Sequence, residues 1–200
     1  MGDIKRLRKQ YSTPSHPWNK RVIEAEKIVV REYGLKKKQE IHIATSFLKK
    51  YKDIAKKLIA DATPQGLKEQ QQMMSKLQKY GLVQEGSRLD EVLRLQLSDI
   101  LQRRMQTMIQ KKGMAKTAKQ ARQFITHGHV MVGEKRITSP SYLVSTAEEA
   151  VLKFKPASAL SQEDHPERAT PAKAVKVLSP QQLEAMAERR RFPVRKQRQR

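Results

Sequence analysis

Between Lys111 and Ile137 the chain reads KKGMAKTAKQARQFITHGHVMVGEKRI, and the punctuation of this stretch leaves few local folds open. Gly113 closes a helical run, with Met114 as the apolar residue that packs back across a glycine stop. Thr117 and Gln120 form a T-x-x-Q capping box, so a new short helix is expected from Ala118. At about 100° per residue, Ala118, Ala121, Phe124 and Ile125 share one arc, while Lys119, Arg122, Gln123 and Thr126 share the neighbouring one. One face is built to pack and the other is free to bind. Gly128 supplies the next stop, Val130-Met131-Val132 has strand character, and a hairpin through Gly133-Glu134 returns the chain along Lys135-Arg136-Ile137.

The flanking sequence predicts a helical body with polar ends. Met1 to Trp18 is a basic arm carrying Lys5, Arg6, Arg8 and Lys9, and its Pro14-Ser15-His16-Pro17-Trp18 segment disfavours regular structure. A helix is expected from Asn19 to Tyr33, stopped at Gly34. A longer one follows, with Ile41, Phe47, Leu48, Tyr51, Ile54, Leu58 and Ile59 at helical spacing and Lys49, Lys50, Lys52, Lys56 and Lys57 on its other faces. Thr63-Pro64 breaks it, and a third helix from about Leu67 to Gln78 ends at Tyr80-Gly81-Leu82. From Leu89 to Ile109 the apolar pattern continues, divided into two helices by an N-cap at Ser98 and Asp99. Leu101, Met105, Met108 and Ile109 form the buried stripe of the second, with Arg103, Gln106 and Gln110 opposite. Arg104 lies within the apolar arc, its stem covering the core and its guanidinium reaching the edge. Ser139-Pro140-Ser141-Tyr142 turns the chain, and Ala150 to Phe154 reads as a closing strand. Beyond Lys155 the composition shifts to Pro, Ala, Lys and Glu, an extended basic tail with one short helix at 180–190 behind a Ser179/Gln182 capping box. Arg189, Arg190 and Arg191 stand near its end.

Charge narrows the function classes. With 42 Lys and Arg against 20 Asp and Glu, the 200-residue chain carries +22, which points to a polyanion as partner. Hydrophobic residues are 38% and aromatics 5%, so a modest core with extended arms is expected, and serial base stacking on exposed rings is disfavoured. Zero cysteines exclude disulfides, thiolate nucleophiles and Cys-ligated zinc. No apolar run approaches the roughly 20 residues of a membrane span, which makes the cytoplasm the expected compartment.

The run from Leu101-Gln102-Arg103-Arg104-Met105 through Lys116-Thr117-Ala118-Lys119-Gln120-Ala121-Arg122-Gln123-Phe124-Ile125 to His127-Gly128-His129-Val130-Met131-Val132 resembles the S-four RNA-binding domain. Around it, Thr13-Pro14-Ser15-His16-Pro17-Trp18, Tyr33-Gly34-Leu35-Lys36 and Leu89-Asp90-Glu91-Val92-Leu93 are similar to the small-subunit ribosomal S-four family in its archaeal and eukaryotic branch. The resemblance implies an α+β, predominantly helical protein with a helical body (19–101) and an RNA-binding domain of two short helices and a small antiparallel sheet (102–154). The basic arm (1–18) and basic tail (155–200) are read from charge, and the resemblance does not extend past Phe154. It implies ribosomal RNA bound early in small-subunit assembly at a junction of several helices, neighbouring small-subunit proteins, and a position near the path by which messenger RNA enters. A role in translational accuracy is a further implication. No cofactor and no obligate homo-oligomer is expected. One departure matters: the family often has Asn-Gly at the hairpin, whereas Gly133-Glu134 puts glycine first and selects a type II′ turn.

The candidate RNA contacts are Arg103, Arg104, Lys112, Lys116, Lys119, Arg122 and Lys135 for charge, with Thr117, Gln123, His127 and His129 for hydrogen bonds to phosphates or ribose hydroxyls. Auxiliary contacts are Lys5, Arg6, Arg8, Lys9, His16, Trp18, Lys49, Lys50, Lys52, Lys56 and Arg189 to Arg191. Each has a plainer reading. The α-helical lysines also suit a solvated face, Trp18 also suits an anchor for the arm, and His127 with His129 lacks the spacing of a metal site. Two other functions stay open: an RNA-modifying enzyme carrying this domain as an accessory, and a generic basic nucleic-acid-binding protein. The first lacks a glycine-rich phosphate loop, a metal cluster or a nucleophile with a local signature, so no enzyme is expected.

Overall fold

Among the described residues six glycines with positive φ punctuate the fold, and four of them end helices in the same way. At Gly34, Gly81, Gly113 and Gly128 the residue after the glycine donates back into the last turn: Leu35 to Val30, Leu82 to Leu77, Met114 to Ile109 and His129 to Phe124, at 3.0 to 3.1 Å. This is the Schellman arrangement, which satisfies carbonyls that a helix end would leave unpaired and needs a residue free to adopt positive φ. The chain is seen here in a computed structural model that describes residues 9, 11–61, 63–162 and 165–167.

The first three helices follow the sequence expectation closely. Helix α1 (Lys20–Glu32) is capped by Asn19, whose side chain accepts from the Arg21 amide at 3.1 Å. Helix α2 (Lys38–Ala60) buries Ile41, Ala44, Tyr51, Ala55 and Leu58. Helix α3 (Pro64–Lys79) begins three residues before the expected start, because Thr63 caps the Gly66 amide at 3.1 Å and Pro64 arrives with its φ already helical.

The next stretch departs from expectation. Three short helices replace two: α4 (Leu89–Arg94), α5 (Leu97–Gln102) and α6 (Met105–Lys111). The first break lies at Leu95-Gln96 rather than at Ser98, since Gln96 is the cap and the Asp99 carboxylate accepts from the Gln96 amide at 2.8 Å. The second break, at Arg103-Arg104, is tertiary in origin. There the backbone pairs with the returning chain, with Met105 N donating to Tyr142 O at 2.8 Å and Val144 N to Arg103 O at 2.9 Å. Gln106 also belongs inside rather than on the polar face, for it is 0% exposed.

Helix α7 (Ala118–Thr126) follows, then strands β1 (Val130–Val132), β2 (Lys135–Arg136) and β3 (Leu152–Phe154), with a short helix α8 (Thr146–Ala150) between β2 and β3. The sheet is antiparallel in the order β2-β1-β3, with Val132 opposite Lys135 and Val130 opposite Phe154. Gly133 has φ of 61° and Glu134 a negative φ, the pattern of the expected type II′ turn. Helix α8 was not expected, although Ser145-Thr146-Ala147-Glu148 spells a capping box and the structure forms both halves of it. The Tyr142 hydroxyl donates to Glu148 at 2.6 Å. That bond, with burial, pushes the tyrosine up to about 12.

Packing gives the helical body two apolar clusters, one around Tyr51, Leu58, Leu77 and Val92 and one around Leu35, Ile41, Ile100 and Leu101. A third cluster joins Met105, Ile109, Phe124, Ile125, Val130, Val144 and Phe154, so α6, α7 and the sheet share one core. The class is α+β and mostly helical. The tail, expected to be extended from 155, instead opens with a 3-10 turn at Ala159–Ser161 that buries Leu160 in the third cluster, because Ser158 caps the Leu160 amide. Residues 1–8 and 10 of the arm and the tail beyond 167, with its expected helix at 180–190, lie outside the described residues.

Gly34 is held by space as well as by conformation. A Cβ there would meet the Ala118 Cβ at 2.6 Å and Gln106 Nε2 at 3.0 Å, whereas one at Gly113 would meet nothing within 4 Å. Gly34→Ala is expected to cost about 2–4 kcal/mol, adding overpacking to left-handed strain, and Gly113→Ala only about 1–2 kcal/mol. Urea unfolding of the two variants checks the difference; equal losses would show that crowding at Gly34 is relieved.

Candidate nucleic-acid interface

Helix α7 sets out the site. Ala118, Ala121, Phe124 and Ile125 are buried, as the spacing predicts, and this turns Lys119 and Gln123 to the outside. Thr117 accepts from the Gln120 amide at 3.2 Å, giving one half of the expected capping box. The other half slides back one residue, because the Gln120 carboxamide oxygen accepts from the Lys116 amide at 2.8 Å. Lys116 is exposed and its ammonium donates to Pro166 O at 2.8 Å. His127, at the helix end, is exposed, and the His129 ring is held by Ser158 at 2.9 Å.

Arg122 is tied down. Its two terminal nitrogens meet the two carboxylate oxygens of Glu40, at 2.9 and 3.2 Å, and Arg104 reaches the same carboxylate at 2.5 Å. Arg104 is 4% exposed, so its guanidinium ends against Glu40 inside the fold rather than at the expected edge. Burial alone would raise the Glu40 pKa, but the Arg122 hydrogen bond and the charges of Arg104 and Arg122 outweigh it and hold the carboxyl below the usual range. Burial pulls Arg104 downward against the opposing pull of Glu40. These three groups line a cleft of about 490 Å³ together with Lys36 and Lys37.

On the other side of α6 a second cluster forms. Arg103 donates to Glu149 at 2.9 Å and to Val144 O at 3.0 Å, and the Lys112 ammonium donates to Glu149 O. Lys111 and Lys112 are exposed along a cleft of about 450 Å³ there. Adjacent arginines thus brace opposite sides of the chain. Gln106, between them, donates to Tyr33 O, Gly34 O and Ala118 O at 2.9 to 3.3 Å.

The remaining candidates scatter over other surfaces. Lys135 is exposed on the hairpin, Lys49, Lys50 and Lys56 on α2, with Lys52 half-buried. Lys9 lines a separate groove with Lys49 and Lys50. His16 is exposed and Trp18 is 89% exposed, so its ring anchors nothing among the described residues. Lys5, Arg6, Arg8 and Arg189 to Arg191 lie outside them. Sequence reasoning missed Glu40 and Gln106, because no local pattern marks a residue whose partners lie 64 to 82 positions away, as for Glu40, or 12 to 73, as for Gln106. Among the described residues no group of three or more His, Asp or Glu is arranged to hold a metal, and no helix is long and apolar enough to cross a membrane.

Residues 103–150 match the S4 domain, which spans α6, α7, both hairpin strands and α8. Across 84% of its length the chain is 50% identical to the small ribosomal subunit protein uS4 of Methanococcus maripaludis strain C7, covering 95% of that protein. The chain belongs to the uS4 family. The uS4 of Methanococcus vannielii is 47% identical over 85% of the chain and 96% of its own length, and that of Nanoarchaeum equitans 45% over 82% and 92%. The uS4 resemblance therefore runs well beyond the S4 domain into the helical body that carries Glu40.

Removing the Glu40 carboxylate strands a buried cation. Glu40→Ala is expected to cost about 3–5 kcal/mol. Because the folded-state pKa of Glu40 is depressed, its stabilisation is complete above the unfolded value of about 4.3 and is lost as pH falls through the lower folded value. Urea midpoints measured from pH 7 down to 3 should fall steeply at the acid end for the unaltered chain and less so for Glu40→Ala. Parallel curves would remove Glu40 from the acid response.

Proposed function

We propose that this chain is a structural constituent of the small ribosomal subunit, binding small-subunit ribosomal RNA at a junction of several helices early in assembly. The observation that carries this reading is α7: a helix whose apolar face is sealed into the S4-domain core while Lys119 and Gln123 face outward beside the ordered guanidinium of Arg122. Family membership supplies the context, since the similar proteins are named as small-subunit ribosomal proteins.

Recognition rests on the shape and phosphate geometry of folded RNA, which suits a rigid cationic surface with few exposed rings. Lys116, Lys119, Arg122 and Lys135 supply charge, with Thr117, Gln123, His127 and His129 adding hydrogen bonds. Lys112, exposed beside Lys111 with its ammonium on Glu149 O, adds charge at the neighbouring cleft. Arg103 and Arg104 contribute by bracing the surface from behind. The α2 lysines and the arms extend the contact. Neighbouring small-subunit proteins complete the surroundings, the chain lies in the cytoplasmic ribosome near the path of incoming messenger RNA, and through that position it affects translational accuracy. No reaction is assigned to it.

Binding to protein-free small-subunit ribosomal RNA, compared with duplex DNA and an unrelated RNA across a salt series, tests this. A bounded footprint in one multi-helix junction that persists at high salt supports the reading. Lys119→Ala, an exposed substitution without structural cost, is expected to weaken specific binding and to lower the salt slope by roughly one. Equal, salt-sensitive binding to all three polymers would reduce the chain to a generic polycation. Turnover of the RNA would revive an enzyme.

A further inference from the structure

A carboxylate at the centre of a polyanion-binding surface is a liability by charge alone, and Glu40 is placed there with both oxygens occupied. We propose that Glu40 is a positioning residue for RNA: it holds the Arg122 guanidinium, already ordered, at the cleft that Lys36 and Lys37 also line. The proposal rests on the reading that α7 meets RNA.

The geometry works as a relay. Arg104 is fixed by burial and takes one oxygen of Glu40 at 2.5 Å, which pins a carboxylate on the first turn of α2. Pinned in this way, Glu40 presents both oxygens in one plane to Arg122, and the two parallel bonds at 2.9 and 3.2 Å fix the orientation of that guanidinium as well as its place. An arginine carries five N–H donors, of which this pairing uses two; of the three left, Nε–H and the outer N–H of its neighbouring Nη share one edge, where a phosphate can take both. Arg122 is still 26% exposed at its side chain, enough for an anion to reach it. A free arginine loses rotamer freedom when it binds; this one has lost that freedom on folding. The partial neutralisation of Arg122 works against binding, and the ordering works for it. Lys36 and Lys37 keep the cleft cationic despite the carboxylate.

The two contributions predict opposite signs, which makes the proposal testable. Affinity of the full chain for protein-free small-subunit ribosomal RNA is measured for the unaltered chain, E40Q, R122A and the double variant, each first shown to be folded by circular dichroism. Charge counting alone expects E40Q to bind more tightly. Positioning expects E40Q to bind about three- to tenfold more weakly, the entropy of one long side chain, with no further weakening when R122A is already present. Unchanged or tighter binding by E40Q while R122A weakens overturns the positioning role and leaves the α7 reading intact. Equal weakening by E40Q in the R122A background also overturns it, since the effect then runs through the fold. If R122A itself binds normally, the reading of α7 at this position fails and the proposal with it. Should E40Q not fold, Glu40→Asp, which keeps the charge and shortens the reach, replaces it in the same cycle with the same expected loss.

Discussion

Gln106 is the interaction on which the rest of the molecule turns. Three carbonyl oxygens, from Tyr33, Gly34 and Ala118, converge on its amide nitrogen at 2.9 to 3.3 Å, and the residue that carries it is 0% exposed. Only a donor can sit among three acceptors, and the amide shares two hydrogens between them. Its contacts join the end of α1 to the start of α7 through α6. The node is also tight, for Gly34 has no room for a Cβ beside Ala118. A helix stop, a helix start and a buried amide thus specify one another, and the outward face of α7 inherits its orientation from them.

The division of labour between the two cations follows from their chemistry. Arg103, Arg104 and Arg122 each pair with a carboxylate, using the planar fork of the guanidinium for several contacts at once. Lys49, Lys50, Lys56 and Lys119 point to solvent. An ammonium is a compact, strongly hydrated charge that gains little from burial and loses little by waiting in water for a phosphate. In a chain of +22, scarce acidic residues such as Glu40 and Glu149 are spent on internal geometry, and the excess of lysine is left in water.

Much of this was legible in the sequence where the cause is local. The glycine stops at Gly34, Gly81, Gly113 and Gly128, the two faces of α7 and the Gly133-Glu134 hairpin depend on residues within a few positions of one another. Three of the failures have the opposite property. The break between α5 and α6 exists because Arg103 and Met105 pair with a segment some 40 residues further on. Gln106 sits on what periodicity marks as a polar face, yet three distant carbonyls draw it inside. Arg104 looks like a snorkelling side chain until Glu40, far upstream, is brought beside it. Other misses were legible and overlooked: the start of α3 at Thr63-Pro64, the α4/α5 break at the Gln96 and Asp99 capping box, and α8 behind Ser145 and Glu148 are each written within four consecutive residues.

The length of α2 gives the Glu40 pairing a reach beyond its own cleft. Glu40 lies in the first turn of a 23-residue helix, about 34 Å long at 1.5 Å per residue, and Lys49, Lys50 and Lys56 lie further along it. Fastened to α7 near one end and packed along its length through Tyr51, Ala55 and Leu58, the helix is held as one piece with the core. Whatever seats α7 therefore also sets where the distant lysines fall, and two patches of positive charge read one rigid spacing.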